Sequence, residues 1–185
     1  MRKSVVPLKK KYTNMTIADL NQGLQYITYG LYIVTVSDGE KKNGMILNTV
    51  FQVTATPPRV AISVNKNSFT HEILLRTKCF AAMPLDQSAT LPFIGTFGFR
   101  TGRTYDKFAN VPFTTGELGC PLVNQHTLSY LEVQVQQTLD VGTHTLFVGE
   151  VKDAGVFHTD SPALTYDYYH HVIKGKVPPG ATHQF

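Results

Sequence analysis

Between residues 31 and 157 the chain consists largely of short runs of β-branched and aromatic residues that are separated by turn signals. Four runs come first, LYIVTVS, GMILNTVFQVTA, VAISVN and CFAAMPL, and the connections between them include DGEKKNG and two consecutive prolines. A longer pair follows, LSYLEVQVQQTLDVG and THTLFVGEVKDAGVF, in which the first run alternates apolar and polar residues before a turn at 140–142. This pattern is typical of antiparallel strands, and it predicts a mainly β domain.

Helical spacing is confined to two short segments. Before the first strand, apolar residues recur at helical intervals, namely Ile17, Leu20, Leu24 and Ile27. Thr16 is a suitable N-cap for this helix and Gly30 a suitable stop. In the second segment, NSFTHEILLRT, either Ser68 or Thr70 is placed to cap a short helix. We expect residues 86–125 to be irregular and the chain from Pro162 to end extended. Many strands with two such helices favour a closed antiparallel barrel.

The run NGMILNTVFQVT, residues 43–54, carries polar side chains where a core-facing strand would be apolar. Strict alternation places one mixed set on a single face, namely Ile46, Asn48, Val50, Gln52 and Thr54. Such a face suits neither a core nor bulk solvent, so it indicates contact with a ligand. The alternative is that Asn48 and Gln52 form hydrogen bonds with the barrel backbone.

Two other polar segments lie near this strand in the sequence. NKNSFT, residues 65–70, leads into the second helix, where free N–H groups bind anions. A basic loop follows, with Arg100, Arg103 and Lys107. A ligand with a flat hydrogen-bonding ring and a phosphate would use all three segments, and flavin mononucleotide (FMN) has that shape. The alternatives are simple helix capping, a solvated turn at Lys66 and a mobile surface flap.

Several other chemistries lack their sequence signals. His170 and His171 are adjacent, and no H-x-x-x-H or H-E-x-x-H is present, so we predict no metal site. Cys79 and Cys120 form no C-x-x-C pair and are expected to be buried structural thiols. The G-x-S-x-G nucleophile motif, the phosphate loop and the G-x-G-x-x-G fingerprint are also missing. No run approaches the roughly 18 apolar residues of a membrane span, and we expect a cytoplasmic protein.

The basic character of the chain belongs to its first residues. The formal net charge is +4, but five basic residues lie within the first eleven positions, so the remainder carries 4 − 5, which is −1. We therefore expect no nucleic-acid partner. Residues 1–14 are predicted to be a basic extension, either a solvated terminus or an arm for an anionic partner, and residues 15–185 to be one domain.

Separated motifs in a consistent order connect this chain to a known family. They are YGLY, NGMILNTVFQVTATPPRVAISVNKNSFTHEI, TGRTYDKF, GTHTLFVGEV, TYDYYH and GKVPPGA. From about residue 15 onward, the chain resembles the flavin reductase-like FMN-binding split-barrel family. The similarity is greatest to flavoredoxin-type proteins and to the flavin domain of high-molecular-weight rubredoxins. One departure is Thr101, because the family has serine at this place in TGR.

The resemblance implies a Greek-key split β-barrel that forms a homodimer, with FMN bound near the subunit interface and reduced by NADH or NADPH. It also implies which residues hold FMN. The ring and ribityl chain would be contacted by Asn48, Thr49, Gln52, Val53 and Thr54, and the phosphate and nearby ribityl by Asn65, Lys66, Asn67, Ser68 and Thr70. Phe69 would help to wall the ring. Arg103 and Lys107 are implied to contact the phosphate, the nicotinamide nucleotide or the partner subunit.

His144 resembles a family histidine that lies near the flavin or the nicotinamide, where it would orient the donor or tune the ring. A barrel histidine bonded to backbone is the alternative. Tyr166 is implied to reach over the partner's flavin, and packing is the alternative for the tyrosines of this segment.

The family activity implies an NAD(P)H-dependent flavin reductase whose electron acceptor is a rubredoxin, a flavodiiron protein, free flavin, a ferric chelate or oxygen. One alternative is a flavoredoxin-like electron carrier that a protein donor reduces. A second alternative is a non-redox ligand-binding protein with the same barrel, because a fold alone does not fix a function.

Overall fold

A computed structural model describes residues 16–176, so the predicted basic extension lies outside the described residues. The described part contains four helices and nine strands. The helices are α1 (Ile17–Leu24), α2 (Phe69–Thr77), α3 (Leu91–Gly98) and α4 (Tyr166–His171). The strands are β1 (Tyr32–Ser37), β2 (Lys42–Leu47), β3 (Val50–Ala55), β4 (Pro58–Asn65), β5 (Cys79–Pro84), β6 (Thr114–Thr115), β7 (Pro121–Leu122), β8 (Ser129–Asp140) and β9 (His144–Val156).

Seven of these strands form one antiparallel sheet in the order β2-β1-β5-β8-β9-β4-β3. The two end strands, β2 and β3, are consecutive in the chain, so the corner at Asn48 and Thr49 joins both ends of the sheet. Thr49 fastens this corner to β4, because its Oγ1 donates to the Ser63 carbonyl at 3.1 Å. The chain thus brings the two ends of the sheet together without a ladder between β2 and β3, and the predicted mainly β fold is confirmed.

Two apolar clusters lie on opposite sides of the sheet. The barrel interior is filled by side chains such as Val34, Ile62, Phe80 and Phe147, all of which are fully buried. Successive side chains of a strand point to opposite faces of the sheet, so neighbouring residues such as Ile33 belong to the second cluster, which lies outside the barrel and is called the outer cluster here. Both faces of β1 are covered, so every residue of that strand after Tyr32 is buried, including Thr35 and Ser37.

The outer cluster contains two helices that the sequence did not indicate, and one of them corrects an expectation. Residues 86–125 are not irregular throughout, since they contain α3, which Thr90 caps and which buries Phe93, Ile94 and Phe97. Tertiary packing of these rings overrides the low helix propensity of LPFIGTFG. The segment after Pro162 contains α4, which the sequence did not indicate and which Thr165 caps by accepting from Tyr168 N. The end of this segment, predicted to be extended, lies outside the described residues.

The run 43–54 is likewise not one strand with a single mixed face. It bends at the corner between β2 and β3, and β3 contains an irregularity between Gln52 and Thr54. Asn48 is consequently buried whereas Gln52 is exposed.

The first helix is capped by Thr16 as predicted, since Asp19 N donates to Thr16 Oγ1 at 3.1 Å. It ends at Leu24, well before Gly30. Across residues 16–176, no helix has both the length and the apolar character needed to span a membrane.

Candidate functional site

A cavity of about 650 Å³ lies where strand β2, the first turn of α2 and the segment after α3 meet. This volume falls within the usual range for small-molecule and cofactor sites. Its wall combines apolar side chains with amides, hydroxyls and cations. The lining residues are Asn43, Met45, Ile46, Leu47, Asn48, Asn65, Asn67, Ser68, Phe69, Thr70, Phe97, Gly98, Phe99, Arg100, Thr101, Gly102, Lys107 and His144.

The first turn of α2 gives the cavity an anion-binding wall. Ser68 is the N-cap, with φ −79° and ψ 146°, and its Oγ accepts from His71 N at 3.1 Å. Before it, Asn65 Oδ1 accepts from Asn67 N at 2.9 Å. The first N–H groups of a helix have no acceptor within it, and here they belong to Phe69 and Thr70. These donors and the positive end of the helix dipole favour an anionic ligand.

Asn43 brings to the cavity a buried side-chain amide with only part of its hydrogen-bonding capacity satisfied. The residue is 2% exposed, and its Nδ2 donates to Thr70 Oγ1 at 2.8 Å. Its Oδ1 has no hydrogen-bond partner within residues 16–176. Leaving a buried polar atom unsatisfied costs about 1–3 kcal/mol, so this oxygen is a natural acceptor for a ligand donor. Gly102 lies against it, because a Cβ at that position would stand 2.1 Å from Oδ1.

Lys107 brings a buried cation to the cavity. It is 5% exposed, and its Nζ donates to the Gly44 carbonyl at 2.7 Å and to the Phe97 carbonyl at 2.9 Å. Burial lowers the pKa of this lysine to about 8. In the described part of the chain, the ion pairs involve other residues and no carboxylate neutralises Lys107. A buried charge without a counter-charge is costly, so the cavity favours an anion here.

His144 lies at the start of β9, opposite Asn65 in the β4–β9 ladder. Its Nδ1 is 2.9 Å from Thr143 Oγ1. Burial lowers its pKa, so the imidazole is neutral at pH 7. His144 therefore presents a neutral hydrogen-bonding ring to the cavity.

Eight of the site residues that the family resemblance implies line this cavity together. They are Asn48, Asn65, Asn67, Ser68, Phe69, Thr70, Lys107 and His144.

Three others lie outside the cavity wall. Lys66 forms an ion pair with Asp140 at 2.6 Å, and Arg103 forms a bidentate pair with Glu72. Tyr166 is buried in the outer cluster, and its ring contacts His170 edge-on at a centroid distance of 4.3 Å.

The remaining predicted residues belong to the corner and to β3. Thr49 is buried and bonded to β4, as described above. Gln52 Nε2 donates to the Thr54 carbonyl at 3.2 Å, and Thr54 Oγ1 donates to the Pro57 carbonyl at 2.6 Å. Val53 is 46% exposed. None of these β3 residues lines the cavity, and Gln52 and Val53 are exposed.

Sequence reasoning did not select Asn43 or the cavity-lining stretch 97–102. Asn43 is the first residue of the run NGMILNTVFQVT, but its partner, Thr70, is 27 residues away. Arg100 was noticed only as part of a basic loop, and its guanidinium lies 4.3 Å from the Tyr105 ring centroid. The sequence signal that could have indicated the stretch 97–102 is the combination of glycine and basic residues directly after an apolar segment.

Comparisons with known proteins agree with this geometry. Residues 24–173 match the family described as flavin reductase like domain. The chain is 44% identical to the high molecular weight rubredoxin of Moorella thermoacetica over 160 residues, which cover 86% of this chain and 69% of that protein. It is 45% identical to the ferric-chelate reductase (NAD(P)H) of Archaeoglobus fulgidus over 159 residues, which cover 86% of this chain and 94% of that protein.

Solved structures share the fold. The NADH:FAD oxidoreductase SgcE6 of Streptomyces globisporus C-1027 superimposes with a TM-score of 0.73 at 26% identity, covering 86% of this chain and 93% of that one. Flavoredoxin from Methanosarcina acetivorans gives a TM-score of 0.66 at 24% identity, covering 84% of this chain and 77% of that one. The latter similarity shows the fold alone.

Proposed function

The chain belongs to the flavin reductase like domain family, as its sequence motifs predicted, and from this membership we propose an FMN-containing NAD(P)H-dependent oxidoreductase. It passes electrons from a nicotinamide nucleotide through the bound flavin to an acceptor. The observation that carries this proposal is a single cavity with a helix N-terminus and a buried, uncompensated lysine in its wall. The names of its relatives, a ferric-chelate reductase (NAD(P)H) and an NADH:FAD oxidoreductase, support it.

The residues of the cavity fit a flavin nucleotide. A phosphate would be held by the N–H groups of Phe69 and Thr70, by the Ser68 hydroxyl and by Arg100. An isoalloxazine ring has both donors and acceptors along its edge, and the unpaired Asn43 Oδ1 would accept from one of those donors. Apolar side chains of β2 would wall the ring and keep water away from it.

When bound, the flavin supplies the redox chemistry, accepting a hydride equivalent from the nicotinamide and releasing electrons to the acceptor. The protein contributes binding, orientation and electrostatics. The Lys107 ammonium stabilises negative charge that develops in the cavity on reduction. The neutral His144 ring offers a hydrogen bond without adding charge, and we assign it the orientation of the nicotinamide.

We assign a ferric chelate or the iron centre of a rubredoxin-type protein as the electron acceptor of this enzyme. The support is that one relative is a ferric-chelate reductase and another is a high molecular weight rubredoxin. A flavodiiron protein and free flavin are the other acceptors to compare. Turnover with each acceptor under anaerobic conditions ranks them directly.

A homodimer is the assembly we propose, and strand β3 supports it. This strand lies at one end of the sheet order and pairs only with β4 within the described residues. Phe51 is 51% exposed and Val53 is 46% exposed. Adjacent exposed apolar side chains on an end strand are suited to a second copy of the chain, and the partner would then approach Gln52 and Thr54 as well.

An anaerobic absorbance spectrum tests the function. We expect the purified protein to carry flavin bands that bleach on mixing with NADH or NADPH, and chromatography of the released flavin to identify FMN. Bands that persist with both nucleotides but bleach with dithionite would overturn the reductase and favour an electron carrier with a protein donor. A colourless protein that FMN cannot reconstitute would favour a non-redox binding role.

A further inference from the structure

The cavity is covered on one side by residues 99–106, which we name the cover segment. Its first part, Phe99 to Gly102, lines the cavity, whereas Arg103 does not. The segment has its own internal bonds, because Tyr105 N donates to the Thr101 carbonyl at 3.2 Å and Arg103 N donates to Thr101 Oγ1 at 3.3 Å. It therefore has a defined local structure that can be positioned as a unit.

The cover segment is attached to the rest of the molecule at two places. At its base, Lys107 Nζ bridges the carbonyls of Phe97 and Gly44. At its tip, Arg103 Nη1 donates to Glu72 Oε2 at 2.8 Å and Nη2 donates to Glu72 Oε1. The same guanidinium lies 5.4 Å from the Phe69 ring centroid. The tip is thus fixed to the first turn of α2, whose N–H groups form the opposite wall.

These contacts assign Arg103 a role different from the one its basic charge first indicates. Both Nη atoms of its guanidinium bind Glu72, and Arg103 is absent from the cavity wall, so it is not arranged to bind a ligand anion. We propose that Arg103 and Glu72 form a latch that holds the cover segment closed over the flavin, and that Arg103 is a positioning residue. This proposal rests on the proposed function for its ligand.

The latch is built so that it can open. The Arg103 and Glu72 side chains are 44% and 41% exposed, so water and salt compete with the pair. The attachment at the base is buried by contrast, because Lys107 is 5% exposed. Opening at the tip would swing Arg100 to Gly102 away from the cavity while the base stays fixed. Flavin exchange would follow this opening.

Release of bound FMN tests the latch. Arg103→Gln and Glu72→Gln should each release FMN about three- to tenfold faster than the parent protein, and the double variant no faster than either one. Raising NaCl from about 0.05 M to about 1 M should speed release from the parent by a larger factor than release from the variants, because salt screens the phosphate contacts in all of them and the Arg103–Glu72 pair only in the parent. Arg76→Gln is the matched control, because Arg76 lies on the same helix and pairs with Asp38 at 2.6 Å, away from the cavity.

If Arg103→Gln speeds release while Glu72→Gln does not, Arg103 binds the flavin directly and the latch is wrong. Equal release from all variants also overturns it. Amide hydrogen exchange of residues 99–106 in the flavin-free protein gives a second readout. Faster exchange in both latch variants, but not in Arg76→Gln, supports the latch, and unchanged exchange contradicts it. If the parent retains no FMN, the proposed function fails, and hydrogen exchange alone decides the latch.

Discussion

Because the ammonium of Lys107 is buried, the free energy of unfolding of the flavin-free protein varies with pH in the alkaline range. Burial lowers the pKa of Lys107 from 10.5 to about 8 in the folded chain. Between these two pH values the unfolded chain binds more protons, so the free energy of unfolding rises as pH rises. The penalty is present in full below pH 8 and is gone above 10.5. This difference between the two pKa values of Lys107 corresponds to about 3 kcal/mol in the free energy of unfolding.

We therefore predict that Lys107→Met removes this alkaline gain. Urea unfolding between about pH 7 and pH 10.5, with flavin absent, should show the stability of the parent rising relative to that of the variant by up to about 3 kcal/mol. The variant also loses the hydrogen bonds to the Gly44 and Phe97 carbonyls. This loss changes its free energy of unfolding by a similar amount at every pH, so the pH dependence of the two proteins can still be compared. Parallel pH profiles would show that Lys107 is not desolvated in the folded protein.

His144 should affect turnover more than stability. Its ring lines the cavity and burial keeps it neutral, so His144→Ala removes a hydrogen-bonding group without removing a charge. We predict that stopped-flow reduction of the flavin by NAD(P)H slows at least about tenfold because the nicotinamide loses its orientation. His171→Ala is the control, because the side chain of His171 is 73% exposed. Unchanged reduction by the His144 variant would remove it from the site.

At the scale of the element, α2 has two tasks that can be separated experimentally. Ser68 caps the helix, and the same first turn supplies the proposed phosphate donors. Ser68→Ala should lower the free energy of unfolding by about 1 kcal/mol and weaken FMN binding about tenfold. Thr165→Ala removes the equivalent cap of α4, outside the cavity, and should lower stability by a similar amount without changing FMN affinity.

Urea unfolding and equilibrium dialysis with FMN measure these two effects side by side. A loss of affinity in both variants would mean that the Ser68 effect is only a consequence of lower stability. A normal affinity in Ser68→Ala would take the α2 N-terminus out of the phosphate site. The helix would then serve only to close the end of the barrel with Ile73 and Leu74.

The helices also show which elements sequence patterns can predict. The sequence of α2, NSFTHEILLRT, predicts a helix by itself, because a serine cap precedes apolar residues at helical spacing. The α3 sequence LPFIGTFG carries two glycines and a proline, and it becomes helical because Phe93 and Phe97 are buried against distant strands. Propensity is local and this packing is not, so α2 was predictable from the sequence and α3 was not.

For the whole molecule, the barrel was predictable because most of its strands each carry a clear apolar pattern. The cavity was predictable only in part. Asn65 to Thr70 occur together in the sequence, but Asn43 and Gly102 meet only after the barrel has closed and α3 has turned the chain back. The alternation through residues 43–54 was misleading for the same reason, since no local signal marks the corner at Asn48 that directs β3 away from the cavity.

The assembly of the molecule is tested on β3. Val53→Lys places a charge on the exposed apolar strand that we propose as the dimer interface, and burying that charge is unfavourable. We predict a dimeric parent and a monomeric variant by sedimentation velocity. Val156→Lys is the matched control, because Val156 is 69% exposed at the far end of β9, and it should remain dimeric.

FMN titration of both variants separates assembly from cofactor binding. If the partner subunit completes the site near β3, Val53→Lys should bind FMN more weakly than Val156→Lys although the cavity residues of each subunit are unchanged. A Val53→Lys variant that is monomeric with full FMN affinity would mean that one subunit forms the whole site. A Val53→Lys variant that stays dimeric would place the interface elsewhere. Because Gln52, Val53 and Thr54 lie outside the cavity of their own subunit, we expect them to contact the flavin of the second subunit across the β3 interface, and therefore we expect weaker binding in the monomer.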